Sequence, residues 1–323
     1  MDIDFVVLWV DGQDPVHQAR RAQYLESFSL HSQVNTEQST SMLRFVQSDE
    51  LKYCLRSIKH HAPWYRKIWL VVDKQFPSFL DESLLEFDRI KIVEHEQIFA
   101  DYPQYLPSFN TRAIASLIWK IPGLSEHFIY ANDDLMFGSA VEKSFFFQPN
   151  GLPVTYGDWI SHSADKVLTL FQLGVLTSGQ LEGFTAQHHI MTSHGFQPMT
   201  KSLIENLSTR HPAAFENNLR YKFRHESQFL IEALQNHYLI GALKQELQPT
   251  TAMVHFSFEL CRIGAAEKVE FLLNLFLQGQ RKMFCLNEFQ SLYPRLPFVL
   301  DYLEQICGPA ITAEISGKRF DTD

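Results

Sequence analysis

No stretch of this sequence reaches the roughly 18 consecutive apolar residues that a membrane-crossing helix needs, so a spanning segment is not expected. Asp2 and Asp4 precede the first apolar run. The basic region and small-residue cleavage site of a signal peptide are missing, which argues against secretion. Cysteine is scarce: Cys54, Cys261, Cys285 and Cys307 are the four in 323 residues, and none is in CxxC spacing. That excludes a disulfide-dense scaffold and points to buried free thiols in a reducing cytoplasm. Positive charge is in deficit, 28 Lys and Arg against 37 Asp and Glu, for a formal net charge of -9. No global field exists to hold nucleic acid or anionic lipid, so any anionic ligand must be held locally. Internal repeats and low-complexity segments are absent as well.

What is present is enough apolar material, 45% of the chain, to bury a large core. Residues 3–10, Ile-Asp-Phe-Val-Val-Leu-Trp-Val, read as a buried first strand that stops at the turn-forming Asp11-Gly12-Gln13-Asp14-Pro15. A helix is expected over 17–30, and a polar loop or lid over 31–41. Leu51, Leu55 and Ile58 recur at helical spacing, and strands are expected at 67–72 and 90–93. A helix near 110–120 ends at Pro122-Gly123, and the apolar run 127–131 leads into Asn132-Asp133-Asp134. Strand, helix and strand alternate, which predicts an α/β, Rossmann-like, mainly parallel sheet covered by helices. Beyond about residue 160, helical patterns dominate at 200–208, 212–220, 226–246 and 266–280. The expected division is an α/β core over 1–160 and a mainly helical part over 161–323, together forming one integrated unit.

Asp133 and Asp134 lie at the carboxyl end of an apolar strand, the edge where open α/β sheets bind ligands. Carboxylates there are costly to desolvate unless paired or metal-bound, and a Mg²⁺ or Mn²⁺ ion shared with substrate phosphates is the usual arrangement. The plain alternative is a turn or a helix cap. Asp11 and Asp14 follow the first strand in the same way, with an Asx turn beside Pro15 as their alternative. His194, before Gly195 and Pro198, is expected in a constrained loop, where it can accept a proton near neutral pH. His188 and His189 compete for that role. Arg220-Tyr-Lys-Phe-Arg224-His225 concentrates positive charge that can neutralise a diphosphate, or it is a solvated helix face.

Together these segments resemble the Stealth family, which includes capsular polysaccharide phosphotransferases and the N-acetylglucosamine-1-phosphotransferase of lysosomal-enzyme tagging. Four blocks carry the resemblance. The first is Asp4-Phe-Val-Val-Leu-Trp-Val-Asp-Gly-Gln-Asp-Pro15. The second runs from Arg44 through 49–57, His61-Ala-Pro-Trp64, Gln75, Leu106-Pro-Ser-Phe-Asn110 and Ile121-Pro-Gly-Leu-Ser125 to Asn132-Asp-Asp-Leu-Met-Phe-Gly138. The third spans His194-Gly-Phe-Gln-Pro-Met-Thr-Lys-Ser202 to Phe223-Arg224, and the fourth is Phe284-Cys-Leu-Asn-Glu288. Residues 155–185 and 231–280 match nothing in that pattern. Two positions depart from it: Gln97 where the family often has Asp, leaving Glu96 or Glu94 as substitutes, and Glu288 where it usually has Asp, a longer arm at a metal contact.

The resemblance implies a GT-A-like core that moves a hexose-1-phosphate or N-acetylhexosamine-1-phosphate from a UDP-sugar to a glycan hydroxyl. A phosphodiester forms and UMP leaves, in capsule or cell-surface polysaccharide synthesis. It implies His194, Arg224, Asp11 and Asp14 as catalytic residues, with His194 as first candidate for the base. Arg56, Gln75, Asn110 and Asn132 are implied to bind substrate, and Asp133 or Asp134 to hold Mg²⁺ or Mn²⁺. The acceptor is a growing glycan, free or lipid-linked, and the expected place is the cytoplasm or the inner face of the plasma membrane beside a capsule-assembly complex. The alternatives are a metal-dependent glycosyltransferase releasing UDP and an inactive glycan-binding relative.

Overall fold

The computed structural model describes residues 1–29, 48–163 and 166–315; the expected lid at 31–41 lies outside them. Five strands form the main sheet: β1 (Ile3–Leu8), β2 (Ile68–Val72), β3 (Ile90–Glu94), β4 (His127–Asn132) and β8 (Gln197–Thr200). Their order is β3-β2-β1-β4-β8. The first four are parallel, and β8 runs antiparallel to β4.

β1 is central because all six of its residues tolerate burial on both faces. Ile3, Phe5 and Val7 enter one core with Ile68, Leu70, Ile129 and helix α2 (Glu50–His61). Val6 and Leu8 enter the other with Trp69, Val71, Phe128 and the helical segments near 113–118, 204–219 and 231–234. The alternation of successive side chains thus builds two hydrophobic layers from one sheet. Asp4 is the polar exception in β1, fully buried. It accepts from Arg66 Nε at 2.8 Å and Nη2 at 2.5 Å, Trp69 Nε1 at 2.7 Å and the Ser125 amide at 2.9 Å, so its charge is compensated on every side.

Three more short strands, β5 (Leu135–Phe137), β9 (Met253–Phe256) and β10 (Met283–Leu286), make a second sheet ordered β5-β10-β9. β6 (Gly157–Ile160) and β7 (His189–Thr192) make a two-stranded ribbon. β8 closes the main sheet and β9 and β10 join β5, so residues beyond 160 complete both sheets begun before 160. Helices Lys201–Arg210, Pro212–Leu219, Ile231–Gly241 and Ala266–Leu277 appear where helical patterns were read. The four-residue strands between them are too short for their periodicity to register. All four cysteines are free and buried. Among the described residues, no helix is long and apolar enough to cross a membrane.

Candidate active site

In the order β3-β2-β1-β4, the chain leaves β1 toward β2 on one side and meets β4 on the other, so the strand order reverses between β1 and β4. Open α/β sheets bind ligands outside the carboxyl ends of their strands at such a reversal. Leu8 and Asn132, the last residues of β1 and β4, pair there. The residues that follow each strand therefore share one edge.

Beyond β4 an open cleft of about 700 Å³ is lined by Asn132, Leu135, Thr111, His194, Arg224 and Glu232, among others. Asn132 and Leu135 flank Asp133-Asp134. The Asp134 carbonyl accepts from the Leu286 amide at 2.9 Å, which ties the turn to β10. Asp134 Oδ2 accepts from the Cys285 thiol at 3.3 Å, while its Oδ1 is buried with no hydrogen-bond partner among the described residues. Asn132 Oδ1 accepts from Tyr130 OH at 3.2 Å.

Glu50, at the start of α2, faces the same carboxylates. Burial, reinforced by the negative charge of Asp133, pushes its carboxyl up to about 8. The adjacent Asp133 and Asp134, with an orphaned oxygen on Asp134, are carboxylate donors of the kind a hard divalent cation takes, and the charge of Glu50 adds to the negative field around them.

His194 lies in the turn between β7 and β8, the constrained loop anticipated from Gly195 and Pro198. Gln197 Nε2 donates to the carbonyls of Ser193 at 2.6 Å and Gly195 at 3.1 Å, clamping both sides of the histidine. A Cβ on Gly195 would come within 2.8 Å of Met253 Sδ and 2.9 Å of Met283 Sδ, so any larger residue in this turn must push two methionine side chains aside. The His194 ring packs against Phe171 and His255, with centroids 5.5 and 4.8 Å away. Burial lowers its pKa; the Asp134 charge opposes that shift and Arg224 adds to it. The ring is thereby kept neutral, able to accept a proton.

Arg224 sits in a loop rather than on a solvated helix face. Its Nε and Nη2 donate to Thr111 Oγ1 at 3.1 and 2.7 Å. It makes no ion pair with a described carboxylate, and burial lowers its pKa while Tyr130, Asp134 and Glu232 oppose the shift. A buried guanidinium with spare donors facing a cleft is an anion-binding arrangement.

The remaining expected site residues are placed differently. Asp11 Oδ1 accepts from the Gln13 amide at 2.8 Å, and Asp14 Oδ1 accepts from the Val16 amide at 2.7 Å. Asp14 thus caps helix Pro15–Ser29. Gln75 accepts from the Asp11 amide at 2.9 Å and donates to the Asp11 carbonyl at 2.8 Å and Asp14 Oδ2 at 3.0 Å, bracing the loop from the end of β2. These three sit at the β1–β2 end of the sheet edge, outside the lining of the cleft.

Arg56 is withdrawn from the site. It is buried and paired with Glu314 at 2.7 Å and Glu304 at 2.5 Å, fastening α2 to the C-terminal segment. Asn110 is withdrawn as a substrate contact too. Its Oδ1 caps the Arg112 amide at 3.1 Å, and its Nδ2 faces the carbonyls of Tyr221 at 3.1 Å and Phe223 at 2.9 Å, so it holds the loop that carries Arg224.

Gln97 completes a capping box with Glu94, which also accepts from the Lys74 amide at 2.7 Å, and Glu96 pairs with Lys74 at 2.7 Å. Glu288 is not at a metal contact: it is nearly covered and holds Arg262 through two bonds of 2.6 and 2.5 Å. The preceding Asn287 is the residue that reaches the cleft side, with Nδ2 2.6 Å from His255 Nε2. Of the competing histidines, His188 stacks on Trp159 and His189 bonds the Thr185 carbonyl, both away from the cleft lining. Sequence reading missed Glu50, Thr111, Phe171, Glu232, His255 and Cys285 as neighbours of the site. Phe171, Glu232 and His255 come from stretches without a motif; Glu50 lay in the second block beside its other charged residues.

Two family models match the chain: Stealth protein conserved region 1 over residues 1–29 and conserved region 2 over 44–155. An exopolysaccharide phosphotransferase of Streptomyces coelicolor is 31% identical over 88% of this chain and 47% of its own length. Exopolysaccharide phosphotransferase CpsY of Mycobacterium tuberculosis is 32% identical over 99% of this chain and 60% of its own. Receptor polysaccharide phosphotransferase WefC of Streptococcus gordonii is 33% identical over 68% of this chain and 65% of its own. The chain thus spans less than two thirds of the length of each of these relatives, 47%, 60% and 65%. Among solved structures, a galactosyltransferase with donor and acceptor sugar analogues aligns over 78% of this chain and 75% of its own, at a TM-score of 0.40 and 11% identity.

Proposed function

The chain belongs to the Stealth family, and we propose on that footing that it transfers a sugar-1-phosphate from a UDP-sugar to a glycan hydroxyl, forming a phosphodiester and releasing UMP. The observation that carries the reading is the convergence of His194, Arg224 and the Asp133-Asp134 turn at one end of β4. Phosphoryl transfer asks for positioning and charge neutralisation, with one group to take the proton of the attacking hydroxyl.

Each residue has a part in this account. His194, neutral and clamped by Gln197, accepts the proton of the acceptor hydroxyl as its oxygen attacks the sugar-side phosphorus. Arg224, aimed by Thr111, holds the phosphoryl oxygens as charge moves to the leaving phosphate. The loop of Asp11, Asp14 and Gln75 lies beside the nucleotide, over β1 and β2, and Asn132 borders the donor. Asp133 and Asp134, with Glu50 behind them, would hold Mg²⁺ or Mn²⁺, which supplies charge neutralisation on the diphosphate. The role is polysaccharide synthesis, with a free or lipid-linked glycan as acceptor and a working place in the cytoplasm or at the inner face of the plasma membrane.

The test is donor-dependent phosphodiester formation by the purified chain, compared with His194→Ala and Asp134→Asn. Loss of product in both variants, with circular dichroism unchanged, supports the assignment. Full activity in either folded variant removes that residue from the mechanism.

A further inference from the structure

Beside Asp134 the fold brings together a donor set of which the proposed transfer uses only His194. His194, His255 and Cys285 each offer one ligand atom, and these atoms all lie within 4.8 Å of one another. Cys285 Sγ is also 3.3 Å from Asp134 Oδ2. The four come from the β7–β8 turn, β9, β10 and the turn after β4.

A tetrahedral zinc site has metal–sulfur bonds of about 2.3 Å and metal–nitrogen or metal–oxygen bonds of about 2.0–2.2 Å, which puts neighbouring ligand atoms roughly 3.5 Å apart. The two imidazoles need move only by about an ångström, and His255 is exposed and His194 lines an open cleft, so both can. His194 makes ring contacts but no hydrogen bond to a described residue, so its nitrogens are available.

We propose that His194, His255 and Cys285 form a binding site for a soft divalent cation of the Zn²⁺ class, its fourth position left to solvent as in other three-ligand zinc sites, and that its occupancy blocks the transfer reaction. Thiolate and imidazole select such a cation over Mg²⁺, which takes oxygen ligands. Binding breaks the Cys285 S–H bond: the thiolate keeps the electron pair for the metal and the proton passes to solvent. The nitrogen lone pair of His194 is then engaged and cannot take the acceptor proton.

Asn287 fits both states. Without metal, Asn287 Oδ1 lies 3.4 Å from Cys285 Sγ, as an alternative acceptor to Asp134 for the one thiol proton, and Asn287 Nδ2 lies 2.6 Å from His255 Nε2. Turning the amide over lets Oδ1 accept from His255 Nε2–H, freeing Nδ1 for the cation, and points Nδ2 at the thiolate. A ligating imidazole is usually held by such an outer acceptor.

The inhibitory half rests on the function proposed above; the binding half does not. The experiment therefore reads binding first, on the metal-free full chain with excess Mg²⁺ present. Co²⁺ serves as the optical probe and Zn²⁺ as the calorimetric one, for the unaltered chain, Cys285→Ser and His255→Gln. A cobalt–thiolate charge-transfer band that zinc displaces, absent in Cys285→Ser, together with at least about tenfold weaker zinc binding in both variants, supports the site. No thiolate band in the unaltered chain, or equal zinc affinity in all three, overturns it. Zinc inhibition of transfer that is relieved by His255→Gln supports the blocking role; binding without inhibition of an active enzyme overturns that role alone. If no transfer activity exists at all, the band and affinities still decide the site.

Discussion

Thr111 Oγ1 accepts from both Nε and Nη2 of Arg224, at 3.1 and 2.7 Å, and thereby fixes the plane of a buried guanidinium at the wall of the cleft. Asn110, one residue earlier, holds the same loop by its backbone. Together they turn a flexible basic segment into an oriented cation.

Thr111→Val keeps the side-chain volume and removes that acceptor. Hydrogen bonds to charged groups are worth about 1.5–3 kcal/mol, so kcat is expected to fall roughly ten- to a hundredfold with the melting temperature little changed. Arg224→Lys should be no better than Arg224→Ala within about tenfold, because an ammonium cannot present the same fork. Steady-state kinetics on the three variants decide this.

Asp134→Asn and Asp133→Asn separate the two carboxylates. Chelation by EDTA should abolish turnover of the unaltered chain, and Mg²⁺ should restore it. The variant that has lost the closer ligand is expected to need at least about tenfold more Mg²⁺ for half-maximal rate. The orphaned Oδ1 marks Asp134 as that ligand. Equal Mg²⁺ requirements in both variants would remove the distinction.

Arg56→Ala tests the reassignment of that arginine. Glu314, nearly covered, loses its partner, so unfolding free energy should drop by on the order of 3 kcal/mol in a urea titration. Donor KM should stay within about twofold, since that residue is not among those lining the cleft. A large rise in KM at unchanged stability would return Arg56 to the site.

His237 gives the fold an acid-sensitive point. Its Nε2 accepts from the Ile190 amide at 3.1 Å and its Nδ1–H donates to the Ala233 carbonyl at 2.7 Å, so only the neutral ring fits. Burial lowers its pKa to about 4, against an unfolded value of about 6.5. The unfolded chain therefore binds the extra proton first. This contribution to stability is complete above about pH 6.5 and is lost as the pH falls toward about 4. Denaturation at pH 7.5 and 5.5 should show the loss, and His237→Gln should flatten the slope by nearly one proton.

Much of the fold was legible because its central strands are buried on both faces. Ile3–Leu8, Ile68–Val72 and His127–Asn132 are apolar runs for that reason, and the turns after β1 and β4 were marked by Asp and Asn. β7, β9 and β10 were not legible, since four residues give no usable period and their burial comes from partners elsewhere in the chain. The same distance effect explains the site. His194, Arg224 and Asp134 were singled out by local pattern only together with the family resemblance, whereas the contacts of Arg56 and Asn110 depend on Glu304, Glu314 and the 221–228 loop, more than a hundred residues away. Glu232 and His255 carry no local signal and are joined to the site by helix and strand packing alone.

The most direct measurement is the identity of the nucleotide released when the purified chain, Mg²⁺, a UDP-sugar and a glycan acceptor are incubated together, read by chromatography with phosphorus NMR of the glycan. The account predicts UMP in equal amount to a new phosphodiester resonance, both lost in His194→Ala. UDP with no phosphorus in the glycan would contradict it and leave an ordinary glycosyl transfer.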